Sequence, residues 1–412
     1  MNYQETLDFL FSRLPMFQNV GKVAFKKDLT NTLHLLDFLG NPHEKTAWIH
    51  VGGTNGKGSV SSTIASVFKE NGYSVGLYTS PHLIDFRERI QVNGVLIEKE
   101  FIIDFTKKIR PIIEEIQPSF FELTVAMAFD YFKFKKIEIG IIEVGLGGRL
   151  DSTNVIHPIL SIITNVSWDH MDMLGDTLTK IAFEKGGIIK SSIPVVLGEM
   201  ENEAIEELER QARLQTAPII YGSKVAVKKQ WEEHFQLKGI YQKENLKTIV
   251  AALSELQKRY SLHEKSILTG LSNITANSGL RGRWDVLSEK PYIVADTAHN
   301  YPGVQQTMQQ LSKIVTSGKL HIIWGMVADK DRSKILTLLP RNAKYYFCKP
   351  SVVRGLDAIV LCEDASTFGL IGNSFSSVQL AVKEAMKTIS NDDILYIGGS
   401  TFVVADAIPL FQ

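Results

Sequence analysis

Apolar residues along this chain fall into two alternating textures. Short β-branched runs without polar alternation, at Trp48 to Val51, Ser74 to Thr79, Ile137 to Val144, Leu160 to Thr164 and Pro194 to Leu197, predict strands buried on both faces. Between the first two, Val60, Ile64, Val67 and Phe68 recur at i, i+4, i+7 and i+8, and Gly72 follows where such a helix should stop. Strand, helix and strand in that order form a βαβ unit, so the first half predicts a mostly parallel sheet covered by helices. A second series begins with strand Tyr292 to Ala295 and a helix presenting Val304, Met308, Leu311 and Val315 on one face. Strands Leu320 to Trp324 and Tyr345 to Cys348 follow, then a helix with Val378, Ala381, Val382, Ala385 and Ile389, and strand Ile394 to Ile397. The stretch Ala276 to Arg283, rich in Asn, Ser, Gly and Arg, predicts the junction. The expected class is α/β, with domains at residues 1–282 and 283–412.

Length agrees, since 412 residues at roughly 150 per domain favour two domains whose cores need neither disulfides nor a structural metal. Lys and Arg, 45 together, balance 45 Asp and Glu, so no global basic field invites nucleic acid. Cys348 and Cys362 are too few for a disulfide framework and lack zinc-site spacing, which fits a reducing cytoplasm. The opening MNYQETLDFLFSRL carries Glu5 and Asp8 among its apolar residues and reads as an amphipathic helix rather than a signal peptide. No apolar run of about 18 residues predicts a membrane span.

The strongest chemical signal is HVGGTNGKGSVSS, His50 to Ser62, a glycine-rich turn between a predicted buried strand and an amphipathic helix. A phosphate loop requires that context. Glycines let backbone N–H groups approach phosphate oxygens, the helix N-terminus adds partial positive charge, and Lys57 reaches the terminal phosphates, which makes ATP the natural ligand. Only Thr54 and Asn55 separate Gly53 from Gly56 and Lys57, so the loop is a shortened variant. Downstream, Glu143 ends a strand in IIEVGLGGRLDSTN and His170 follows the next in ITNVSWDHMDMLG. Ligands collect beyond strand ends in open parallel sheets, and magnesium carried by ATP suits Glu143 and a hydroxyl such as Ser80 better than a histidine. Taken alone, His170 fits a packed or capping residue better than a ligand, and Asp169 and Asp172 fit caps or solvent-facing acids. Two readings also stay open for Lys185 in FEKGGIIK, functional or solvated, and for Asp296 in VADTAHN, functional or capping; His299 and Asn300 follow it. Arg283 falls at the predicted junction in GRW.

Taken in order, these pieces resemble the folylpolyglutamate synthase/dihydrofolate synthase branch of the Mur ligase family. The resemblance runs from LDFLGNPHEK to IGGSTFVVAD and includes GTNGKGS, TSPHL, FFELTVAMAF, EVGLGGRLDSTN, ITNVSWDHMDMLG, EKGGIIK, GIYQKEN, GRWD, DTAHN and WGMVADKD. It implies a P-loop ATPase-like N-terminal domain with a folate site, then a smaller Rossmann-like glutamate ligase domain. The implied reaction joins L-glutamate to a folate carboxylate through an acyl phosphate made with ATP, extending tetrahydrofolates or using dihydropteroate.

By this resemblance Asn55, Gly56, Lys57, Gly58, Ser59, Asn245, Arg283 and Asp296 contact ATP, and Lys57, Lys185 and His299 are the catalytic set. Ser80, Glu143 and His170 hold magnesium, joined by Lys185 in N-carboxylated form, since an ammonium repels a second cation and a carbamate binds it; a monovalent cation is allowed alongside. Phe120, Phe121, Glu122, Asp151 and Ser152 are implied folate contacts, rings stacking on the pterin and polar groups fixing its edge. The family implies a cytoplasmic monomer acting on small molecules, without nucleic acid or membrane. Thr297 departs by standing where the family usually has glycine, and its Cβ at a tight turn bears on the placement of His299; Gly187 and Trp284 also vary within matching runs. Two rivals are another Mur-type ligase acting on a nucleotide-linked precursor, for which no carrier domain precedes the loop at residue 50, and an ATP-hydrolysing regulatory protein. Against the second, Glu143, His170 and Lys185 together imply a two-cation site.

Overall fold

The computed structural model describes residues 1–14, 28–315, 318–328 and 332–412, so Asp329, Lys330 and Asp331 of the WGMVADKD motif lie outside the described residues. The chain divides into two compact units, Met1–Gln236 with Gln242–Leu280, and Leu237–Tyr241 with Arg281–Gln412.

The first unit is built on eight strands: β1 (Ala47–Gly52), β2 (Val75–Tyr78), β3 (Ile90–Val92), β4 (Val95–Leu96), β5 (Ile139–Glu143), β6 (Leu160–Ile163), β7 (Val195–Leu197) and β8 (Ile219–Tyr221). Their order is β4-β3-β2-β5-β1-β6-β7-β8, parallel from β2 to β8, with β3 and β4 as an antiparallel hairpin on one edge. The strands β5, β6 and β7 are buried throughout, as unalternating apolar runs require. Register places Val51 beside Glu143 and Gly52 beside Ile163, so the turn leaving β1 emerges between the C-terminal ends of β5 and β6. That is the position where open parallel sheets form a ligand crevice.

The helix Lys57–Glu70 is buried over its whole circumference from Gly58 to Phe68, more than its predicted single stripe. Helices Gln242–Leu256, Glu264–Ser272 and Ile274–Ser278 pack on its other faces. Two of its serines are enclosed with partners: Ser66 Oγ donates to Gly270 O at 2.7 Å, and Ser59 Oγ accepts from Gln242 Nε2 at 3.0 Å. Among the described residues, no helix is long and apolar enough to cross a membrane.

The second unit carries β9 (Asp285–Glu289), β10 (Tyr292–Ala295), β11 (Leu320–Trp324), β12 (Lys344–Cys348), β13 (Gly372–Phe375) and β14 (Ile394–Gly398) in the order β13-β12-β11-β14-β10-β9. Only β9 runs antiparallel. The expected boundary after residue 282 lies close to the division at Leu280, but Leu237–Tyr241 joins this unit through bonds that composition does not display. Gln310 donates to Lys238 O at 3.1 Å and accepts from Ile240 N at 2.7 Å. Cys348 is buried in this unit and Cys362 half-buried, both as free thiols.

Asp393, just before β14, accepts from Lys319 N at 2.7 Å and Ser390 N at 2.8 Å, with His321 Nε2 3.6 Å away. Burial works to raise its pKa, but these donors outweigh it and hold the carboxyl at about 2. The stabilisation is present above the ordinary carboxylate pKa and lost as pH falls through about 2. Asp393→Asn is expected to cost ~1 kcal/mol at pH 7, and less as the pH approaches 2, measured by urea unfolding across that range.

Candidate active site

The chain leaves β1 at Gly52 and enters the helix at Lys57, turning through Gly53 and Gly56 at φ 139° and 85°. A side chain at Gly53 would run into Thr164, and one at Gly56 into the Asn245 carboxamide. The end of β6 holds the turn. Thr54 N donates to Asn165 O at 3.0 Å, Asn55 N to Asn165 Oδ1 at 3.0 Å, and Thr164 Oγ1 to Asn55 O at 2.6 Å. Thr164 and Asn165 lie within the quoted ITNVSW run, yet their role is visible only once β6 stands beside β1. Gly56→Ala is expected to lose about 1–2 kcal/mol from its positive φ alone and to raise KM for ATP, read from unfolding curves and steady-state kinetics.

Two lysines converge on this turn. Lys57 Nζ donates to Gly53 O and to Thr54 O, both at 3.1 Å, and Lys185 Nζ donates to the same Gly53 O at 3.0 Å. Lys185 comes from the last turn of the helix Leu178–Gly186 and is 4% exposed. Burial first, then the neighbouring Lys57 charge, pull its pKa down to about 7, with Asp169 and Asp151 offsetting only part of this. The neutral amine is therefore well populated near neutral pH. This burial removes the solvated-lysine reading of Lys185.

Glu143 is buried at the end of β5 and accepts from Ser80 N, just beyond β2, at 3.2 Å. His170 caps the short helix Met171–Leu174 at φ 49°; its N–H donates to Asp169 Oδ1 at 2.9 Å and its Nε2 lies 3.9 Å from that oxygen. Among the described residues no three His, Cys, Asp or Glu side chains are gathered as a ready metal cluster. The paired Ser80 and Glu143 suit a hard, oxygen-seeking cation such as magnesium, whereas Lys185 as an ammonium does not.

The five expected folate contacts separate into two groups. Phe121 lies against Gly145, within reach of the Asp151 carboxylate, and its ring centre is 6.2 Å from that of Tyr78. Asp151 accepts from Leu146 N at 2.8 Å and Thr153 N at 3.0 Å, which shapes the loop that holds the buried Ser152. Phe120 instead packs into the core, 5.5 Å from Phe11 and 5.7 Å from Phe86. Glu122 forms a capping box with Ser119: Ser119 N donates to Glu122 Oε2 at 2.5 Å and Glu122 N to Ser119 Oγ at 3.2 Å.

Asn245 adjoins Gly56 in the first unit and donates through Nδ2 to Gln242 Oε1 at 2.8 Å. In the second unit Asp296 is buried and accepts from Tyr241 OH at 2.6 Å, Trp284 N at 2.8 Å and Ala298 N at 2.8 Å. Burial raises its pKa despite these donors. Tyr241 and Gln242 both belong to the quoted GIYQKEN run, where nothing marked them as supports. Thr297 needs no glycine-like backbone: its Oγ1 donates to Gly282 O at 3.1 Å and accepts from Arg283 Nη1. His299 Nδ1 lies 3.0 Å from Thr297 O, an acceptor only, so this bond requires the proton on Nδ1. Asn300 caps the helix Tyr301–Ile314.

Residues 51–276 match the Mur ligase middle domain and residues 282–401 the Mur ligase glutamate ligase domain. The chain is 33% identical over 365 residues to a dihydrofolate synthase/folylpolyglutamate synthase of Bacillus subtilis, covering 82% of each chain. It is 34% identical over 359 residues to a folylpolyglutamate synthase of Lacticaseibacillus casei, covering 80% of this chain and 81% of the relative. The structure of E. coli FolC in complex with DHPP and ADP matches at a TM-score of 0.87 and 26% identity, over 100% of this chain and 97% of that one. This chain belongs to the Mur ligase family, in its folylpolyglutamate/dihydrofolate synthase branch.

Proposed function

We propose that this protein joins L-glutamate to the carboxylate of a folate acid, extending tetrahydrofolates and also accepting dihydropteroate, with ATP converting the acid to an acyl phosphate. The observation that carries this reading is the convergence of Lys57 and buried Lys185 on one carbonyl of a strand, glycine-turn and helix motif. A carboxylate is a poor electrophile, and phosphorylation supplies the leaving group that attack by glutamate's amine requires. Lys57, steered by Gly53 O and Thr54 O, is placed to neutralise the transferring phosphoryl group, largely by position and charge. The first turn of the helix after Gly56 offers the N–H groups of Lys57, Gly58 and Ser59 to phosphate oxygens. Asn55 and Asn245 shape that turn, while Arg283 and Asp296, assigned to the nucleotide, and His299, assigned to the catalytic set, belong to the second unit.

Magnesium, held by Ser80, Glu143 and His170, would supply positive charge to the phosphates. The Lys185 amine, about half neutral near pH 7 and increasingly so above it, adds CO2 to give a carbamate and releases a proton, which turns a repelling cation into an oxygen ligand. Phe121, Asp151 and Ser152 form the pterin side, and Phe120 and Glu122 fix the helix that presents Phe121.

The test is incorporation of labelled L-glutamate with ATP and magnesium, run in parallel on dihydropteroate and tetrahydrofolate monoglutamate. Product is expected with both. Folded protein that binds ATP yet yields no amide with either acid would overturn the ligase reading.

A further inference from the structure

Arg89 is a guanidinium enclosed by the first unit at 4% exposure. It stands at the entry to β3, where its carbonyl accepts from Thr79 N at 3.0 Å, so its side chain is delivered beside the C-terminal end of β2 and the residue before Ser80. Its Nε donates to His82 Nδ1 at 2.8 Å, which makes that histidine a neutral acceptor. Its Cζ lies 5.4 Å from the centre of the Phe120 ring, and the Tyr78 side chain is close enough to influence it. None of these neighbours carries a negative charge. The acids whose charge it senses are Glu143 and Glu88, while its described side-chain hydrogen bond runs to His82. Glu143 accepts from Ser80 N, and Glu88 turns both oxygens to the N–H groups of Leu83, Ile84 and Asp85.

A buried cation without a paired anion is costly, and a guanidinium cannot escape by losing its proton. His82 takes the Nε–H, and no described hydrogen bond uses Nη1 or Nη2, so part of the planar fork is left for a ligand. That fork fits a carboxylate in bidentate fashion. The location narrows the choice: Arg89 lies over Phe120 and near Tyr78, the ring beside Phe121, and it also feels the charge of Glu143, the acceptor of Ser80 N. It is therefore near both the aromatic and the acidic residues of the same unit.

We infer that Arg89 receives the carboxylate of the folate acid, with His82 and Phe120 holding the guanidinium in the orientation that binds it. This rests on the ligase reading and adds the group that recognises the acceptor as an acid. It would make Arg89 a determinant of substrate affinity and not of ATP affinity.

The experiment compares equilibrium binding of dihydropteroate with that of its neutral carboxamide, which keeps the pterin and aryl rings, in wild type, Arg89→Met and Arg89→Lys. Wild type is expected to prefer the acid by about 30-fold, the worth of a charged hydrogen-bonded contact. Arg89→Met should bring that ratio near one by weakening the acid alone, and raise KM for the folate acid at unchanged KM for ATP; Arg89→Lys should keep part of the preference. Should Arg89→Met fail to fold, Arg89→Gln carries the same comparison. An intact acid preference in the neutral variant, equal weakening of acid and amide, or no preference in wild type overturns the inference. Wild-type glutamate incorporation, measured on the same preparation, separates this from a failure of the ligase reading: incorporation with an unaltered ratio removes only the role of Arg89.

Discussion

Replacing Lys57 with alanine is expected to lower kcat for glutamate incorporation by about three orders of magnitude with the fold intact. The side chain is half-buried and its described hydrogen bonds run only to the Gly53 and Thr54 carbonyls, so its removal leaves no buried charge behind. On the proposed reading, what disappears is the positive charge meant for the transferring phosphoryl group. A second effect follows, because Lys57 is one of the influences holding the Lys185 pKa down, and its loss lets the Lys185 proton bind more tightly. Turnover and thermal unfolding should be measured together; near-normal turnover in a folded variant would sink the phosphate-loop assignment.

Lys185→Ala should be comparably damaging to turnover, and it separates from Lys57→Ala by its response to added acids. If a carbamate is the working form, the space left by the shortened side chain can admit acetate or formate, so tens-of-millimolar additions are expected to restore activity by about tenfold. Lys57→Ala should not respond. Lys185→Met tests the linkage to stability. The unfolded chain holds the lysine proton up to its ordinary pKa of 10.5, whereas the folded chain releases it near 7, so unfolding takes up a proton between those values. Wild-type stability relative to Lys185→Met should therefore rise with pH from about 7 to about 10.5, and the same difference in urea midpoints at pH 6.5 and 9.5 would show that Lys185 stays charged in the fold.

The central strands were legible because burial on both faces leaves an uninterrupted apolar run. Tyr292–Ala295 and Leu320–Trp324 coincide with their predicted bounds, and β1 and β6 differ by a residue or so at their ends. Edge strands lack that signature: β13 reads Gly-Asn-Ser-Phe with no residue fully buried, and β8 is half-exposed throughout. The β3–β4 hairpin did leave a mark, Asn93-Gly94 at φ 50° and 75°, the pair that a tight hairpin turn favours. Pro111 interrupts the pattern of the helix Lys99–Ile116 without ending it.

The site was legible where spacing alone dictates chemistry, as in Gly53 to Lys57. It was not legible where partners are far apart in the chain. Lys185 meets the Gly53 carbonyl only because the helix Leu178–Gly186 returns beneath the loop, and Asp296 finds Tyr241 only through a short excursion of the chain. Glu122 shows the reverse difficulty: a polar residue in a matching motif whose described bonds serve its own helix terminus.

That excursion, Leu237–Tyr241, governs how the protein can be dissected or recombined. A fragment starting at Arg281 would hold all six strands of its sheet and still lack the Tyr241 hydroxyl on Asp296 and both backbone partners of Gln310. One buried carboxylate and one largely buried carboxamide would then face unmet hydrogen bonds, each worth about 1–3 kcal/mol. Swapping the ligase half between relatives together with its own contacts thus requires two crossovers, and a single junction at the domain boundary would separate Asp296 from its native Tyr241.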